Sequence, residues 1–167
     1  MEDEQVTEWF DRVGTSPGVG GIASQLHGPR VRVVCVGPLF DVVVVGADLG
    51  REACSLLKAA DDLGPVVGTE LGRLSFLVEP RNSERWHSLM AESGLADIAP
   101  TRFLSTGTYM WLPTPQPPSA PEQPIAWWVE HPRMIHGDVR LTDGARLCAA
   151  IGMAVHTLAA GALPEGS

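Results

Sequence analysis

Phe40-Asp41-Val42-Val43-Val44-Val45-Gly46 is the stretch from which the fold is read. Four consecutive valines resist the helix, where a β-branched side chain is held to one rotamer, and suit a pleated, packed surface. The run is apolar at odd and even positions alike, so it predicts a central strand covered on both faces. Upstream, Val31–Val36 is a second valine-rich strand, separated from the first by the turn signal Gly37-Pro38-Leu39. Downstream, Gly46-Ala47-Asp48-Leu49-Gly50 ends the strand. Ala53, Leu56, Leu57 and Ala60 then recur at helical spacing over 51–63, and Gly64-Pro65 closes that helix.

The same reading continues to both ends. Pro65-Val66-Val67-Gly68 leads to a strand at Arg73–Val78, stopped by Glu79-Pro80. A helix over 83–93 buries Trp86, Leu89 and Met90, and strands follow at Tyr109–Leu112 and Ile125–Val129. Between these last two, residues 113–124 hold six prolines, which suits a stiff surface loop or a polyproline ligand for an aromatic groove. Thr142-Asp143 caps a final helix over 143–162, with Leu147, Ile151, Val155 and Leu158 on one stripe. At the other end, Val6, Trp9, Phe10 and Val13 predict a short amphipathic helix over 4–13, and Gly14–Gly21 reads as a flexible connector. The predicted architecture is a single α+β domain over 26–163, a central mixed sheet flanked by helices, preceded by a helix and glycine-rich connector over 1–25.

Composition narrows the functions. Twelve Lys and Arg against 20 Asp and Glu give a net charge of −8 and a pI near 5.0. Duplex DNA binders present a basic face to the phosphate backbone, and here the basic residues are scattered, with Lys58 the only lysine. The Arg bias and the abundance of Ala, Gly, Val and Pro point to a high-GC, actinobacterial coding sequence. Cys35, Cys54 and Cys148 are odd in number and set in apolar patterns, as free thiols of a reducing compartment are. The acidic start Met1-Glu2-Asp3-Glu4-Gln5 is no secretion signal, and no apolar run reaches the ~20 residues of a membrane span. A cytoplasmic protein is expected.

From Leu26 to Ala159 the order of motifs resembles the bifunctional DNA primase–polymerase domain of the archaeo-eukaryotic primase superfamily, in a small actinobacterial degenerate branch. The residues concerned are His27-Gly28-Pro29-Arg30, Leu39–Val45, Leu63-Gly64-Pro65-Val66, Gly72–Pro80, Gly107–Pro113, Ala126-Trp127-Trp128-Val129 and Leu141-Thr142-Asp143. The resemblance implies a two-metal site: two aspartates two apart on a strand, a third acid on a neighbouring strand, and a nucleotide-contacting His. This sequence departs at each position. Aliphatic residues fill Val42–Val45, Leu74 stands in place of the His, and Thr106 stands in place of the third acid. The implied function is therefore a catalytically degenerate primase–polymerase-like domain that serves as a cytoplasmic protein-interaction or regulatory module, not an enzyme, and without cofactor or metal. Two alternatives stand beside it. One is an active primase or polymerase using Mg²⁺ or Mn²⁺ at a site rebuilt from Asp41 and Asp48 with Glu70 or Glu79. The other is a nucleotide or single-stranded nucleic-acid binding module without catalysis.

The candidate residues follow from both readings. Asp41 and Asp48 are the carboxylates nearest the implied metal face, although their ordinary roles would be a turn acceptor and a helix cap. Trp127 and Trp128 are adjacent, so strand alternation sends one indole to each face, leaving one to the core and one partly exposed. An exposed indole beside Arg133 or Arg140 could stack a base or anchor a protein, and the acidic balance favours the protein. Arg73 and Tyr109, in motif-matching stretches, complete the binding set. His131 and His136, five apart across a proline, do not form a zinc site, and His87 and His156 sit in helix patterns as ordinary partly buried residues. Ser75 and Ser105 lie in no nucleophile elbow, and Cys35 is walled by valines.

Overall fold

The computed structural model describes residues 2–13, 31–37, 39–80, 83–113 and 125–162. The glycine-rich connector and, beyond Pro113, the proline-rich segment lie outside the described residues.

The four valines form β2 (Asp41–Gly46) in the interior of a five-stranded sheet. The other strands are β3 (Val66–Thr69), β4 (Arg73–Val78), β5 (Arg102–Leu104) and β7 (Ala126–Glu130), in the order β5-β2-β4-β3-β7. Every ladder is antiparallel, so the sheet is not mixed as expected. The physical reason lies in the connections. Helix α2 (Ala47–Ala59) carries the chain from β2 to β3, and β4 inserts between these two strands. Helix α3 (Ser83–Glu92) likewise links β4 to β5 around β2. Two interleaved split β-α-β units result, the β-α-β-β-α-β order called ferredoxin-like.

Two further strands were expected in this sheet. Instead β1 (Val31–Cys35) and β6 (Tyr109–Pro113) pair only with each other, as an antiparallel ribbon. A second pair, β8 (Met134–Ile135) and β9 (Asp138–Val139), precedes α4 (Gly144–Gly161).

Alternation along β2 divides the core in two. Val43 and Val45 join Leu74, Phe76, Leu147 and Ile151 beneath α2, α3 and α4. Val42 packs on the opposite face with Val34, Phe40, Leu77 and Leu112, beneath the ribbon and α1 (Glu2–Val13). Helix α1 is held there by aromatic contacts: Trp9 stacks on Phe40 at 5.9 Å, and Phe10 lies 5.9 Å from Trp128. Each face of the sheet therefore has its own cover, and both buried faces explain the unbroken valine run.

Helix α2 begins at Ala47, four residues before the expected start, because Gly50 is a packing residue and not a breaker. A β-carbon there would lie 2.9 Å from Leu74 Cδ1. Asp143 caps α4 as anticipated, accepting a hydrogen bond from the Arg146 backbone N–H at 2.9 Å.

Candidate functional site

Asp41 and Asp48 do not meet. Asp41 is the first residue of β2 and is buried, whereas Asp48 lies in the first turn of α2, exposed and paired with Arg51. The five steps of β2 at ~3.3 Å each hold the two ends roughly 16 Å apart. Nor does Asp48 cap its helix: Gly46 is the N-cap residue, with no side-chain bond. Glu70 is exposed at the β3–β4 turn and Glu79 follows β4 at its far end. Among the described residues no three His, Cys, Asp or Glu side chains are gathered to hold a metal.

The five binding candidates are likewise dispersed. Trp128 is half-buried on the ribbon side, between Phe10 and His131, with ring centres 5.9 and 6.4 Å away. Arg133 is used structurally: its guanidinium lies 3.6 Å from Asp61 and donates to the Leu63 carbonyl at 3.4 Å. Arg140 also binds Asp61, at 3.1 Å, and Arg146 binds Asp62. Hydrogen bonding from Arg140, with Arg133 beside it, holds the Asp61 carboxyl below its ordinary range. Both guanidiniums expected to accompany an exposed indole are thus engaged elsewhere. Arg73 is exposed at the start of β4, and Tyr109 is exposed on the ribbon.

Of the adjacent pair, Trp127 is the indole left open. Its partner across the β3–β7 ladder is Gly68, and the ring lies so close to that glycine that a β-carbon would fall 2.7 Å from Cε2 and Nε1. The residue remains 39% exposed. Strand β7 is the last in the sheet, and its register shifts at Val66/Val67, so Val129 is an extra, bulged residue, also exposed. The bulge returns Glu130 to the helix side, where it accepts from Lys58 Nζ of α2 at 2.9 Å. The turn beyond Thr69, opposite Ala126, carries Leu71 at 80% exposure. A seated indole and a bulged valine thus mark this sheet edge, and the turn leucine stands at the end of the neighbouring hairpin. Leu71 is inconspicuous in the sequence, since a lone leucine in a turn carries no periodic signal.

No family model matches the chain, and no solved structure matches it. Among curated proteins, it is 33% identical over 109 residues to the E subunit of V-type ATP synthase from Chlamydia muridarum (strain MoPn / Nigg). The match covers 60% of this chain and 49% of that protein, so the chain spans about half the length of the curated relative. This finding overturns the primase–polymerase resemblance. None of the comparisons returns that family, and the protein they do return belongs to an ATP synthase. The degenerate-polymerase function and both nucleotide-handling alternatives, which rested on that resemblance, fall with it. The split β-α-β topology alone implies no such chemistry, because it is shared by proteins of many functions.

Among the described residues, α4 is long and apolar enough to cross a membrane by length and composition. Leu147, Ile151 and Ala154 are nevertheless fully buried, which makes it a core helix on that face.

Proposed function

We propose that the chain is a cytoplasmic component of a protein assembly, held to a protein partner by the sheet edge around Trp127. The observation that carries this reading is the indole itself. Trp127 is seated on Gly68 and so pre-oriented, while more than a third of it remains in water. A large, rigid aromatic loses little conformational freedom on binding, which is why Trp dominates interface hot spots. The net charge of −8 supports a protein over a polyphosphate, since counterion release needs clustered cations. The partial likeness to a V-type ATP synthase component supports it too, that protein being by name one part of a larger assembly.

The test is affinity purification from the native host, with cross-linking to identify the partner, followed by titration of the purified pair. Trp127→Ala is expected to weaken the pair roughly 30-fold or more, the scale of a ~2 kcal/mol hot spot. Trp128→Ala should act through stability instead. An assembly whose affinity is unchanged by Trp127→Ala would sink the proposed edge. A sub-micromolar, steeply salt-dependent affinity for duplex or single-stranded DNA would sink the protein-partner reading.

A further inference from the structure

Strand β7 ends the five-stranded sheet and has a ladder on one side only, the one with β3. Alternate residues of an antiparallel strand turn their N–H and C=O groups to opposite sides. Every second residue of β7 therefore aims a donor and an acceptor away from β3. Strand β6 passes near β7 but pairs with β1 alone, and no backbone hydrogen bond among the described residues fills that outer row. The opposite edge is blunted in the ways natural sheets use, since β5 has three residues and opens on Arg102. Strand β7 runs Ala126-Trp127-Trp128-Val129-Glu130, with no proline, lysine or arginine, and its bulge comes late, at Val129. The stretch ahead of the bulge is a template for one more strand.

The backbone row decides the occupant, because another extended chain is what matches its alternating donors and acceptors. Lipid offers these groups no partner, and a nucleic acid would meet a net charge of −8 without a cationic cluster. A second copy would bring the same −8 to the same edge. The side chains add two requirements. Trp127 keeps 39% of its surface open on the helix side of the sheet, so the residue beside it on that side is apolar. The exposed Glu70, whose N–H donates to the Ile125 carbonyl at 3.3 Å, puts a carboxylate at the start of β7, where the added chain is basic. We infer, resting on the sheet-edge reading above, that the partner adds an extended segment to β7 as a sixth strand. That segment is apolar at alternate positions and carries Lys or Arg at the end beside Glu70.

The probe is a synthetic peptide, acetyl-Lys-Val-Thr-Val-Thr-Val-Lys-amide, basic at both ends so that either strand direction is served. It is titrated into the full chain, with hydrogen exchange of the β7 amides followed by nuclear magnetic resonance. In the free chain the outward amides are expected to exchange fast and the inward ones slowly. The peptide should bind with a dissociation constant on the order of 100 µM and slow the outward amides at least about tenfold. N-methylation of its alternate residues should abolish binding for one set of positions and spare it for the other, since one set alone donates to β7. Trp127→Ala should weaken the peptide about tenfold. Outward amides that are already slow in the free chain would show the edge to be covered by the chain itself, and overturn the proposal. So would an absence of binding at about 1 mM. Binding indifferent to which amides are methylated, with Trp127→Ala still weakening the native pair, would sink strand addition and leave the sheet-edge reading standing. A native pair that Trp127→Ala does not weaken sinks both.

Discussion

At Gly68 the missing β-carbon is what seats Trp127, and at Gly64 it is what lets two backbone segments touch. A β-carbon at Gly64 would meet Thr142 N at 2.6 Å and the Arg140 carbonyl at 2.9 Å, both backbone atoms with little room to move. At Gly50 a β-carbon would instead meet side-chain atoms alone, Cδ1 of Leu74 at 2.9 Å and its Cβ at 3.0 Å. Gly64→Ala is therefore expected to cost about 2–3 kcal/mol in a urea melt, a typical overpacking penalty. Gly50→Ala should stay within about 1 kcal/mol of wild type, because alanine's helix propensity offsets the displacement of Leu74. Cys54 gives a second residue-level expectation. Burial pushes its thiol up to about 12, against an ordinary value near 9. A raised folded-state value means that the folded protein favours the neutral thiol. The resulting stability is whole below pH 9 and is lost as the pH climbs from 9 towards 12. Denaturant melts across that alkaline window should show a falling midpoint, which Cys54→Ala flattens. Alkylation by iodoacetamide at neutral pH should spare Cys54 until the chain unfolds.

Helix α1 depends on its aromatic residues for its place. Phe10 contacts Phe40 and Trp128, so Phe10→Ala is expected to cost about 3 kcal/mol and to redden tryptophan emission as Trp128 meets water. A second element-scale expectation concerns the ion pairs that tie the turn after α2 to the segment before α4 and to the first turn of α4. Arg140 hydrogen-bonds Asp61, and Arg146 binds Asp62. Because the folded-state value of Asp61 is lowered, its contribution is present above the ordinary carboxylate range and is lost as the pH falls through the lowered value. Asp61→Asn should remove that part of the acid dependence and little else, the pair being exposed. Periodicity revealed most elements because burial follows it: Trp86 and Met90 of α3 and Leu147 and Ile151 of α4 lie where their spacing puts them. The exceptions have local causes. Four-residue β3 includes Gly68, which has no side chain to show a pattern and is kept open for an indole, and three-residue β5 is too short for any period to show. The ribbon strands look like sheet strands because a valine run specifies two covered faces, not the neighbour that covers them. Of the site, the opposed faces of Trp127 and Trp128 were legible from alternation. Which of them stays open was not, since that depends on Phe10, 118 positions away.

Interleaving the two split units leaves neither able to complete a sheet alone, because β4 fills the gap in one and β2 the gap in the other. Thermal or urea unfolding should therefore be one transition, with far-ultraviolet dichroism and tryptophan emission coincident. Separate midpoints would show that α1 and the ribbon melt independently of the five-stranded sheet. The position of α1 also sets an order of events in the living cell. Its residues leave the ribosome well before those they dock on, since Phe10 rests on Trp128, and Trp9 Nε1 donates to Asp138 at 3.3 Å. At roughly 5–20 residues per second, the docking surface does not exist until on the order of ten seconds after α1 has been made. During that interval the Val6, Trp9 and Phe10 face is an unsatisfied amphipathic segment of a nascent chain, accessible to chaperones. The helix synthesised ahead of every other element described thus waits for a neighbour 118 positions behind it.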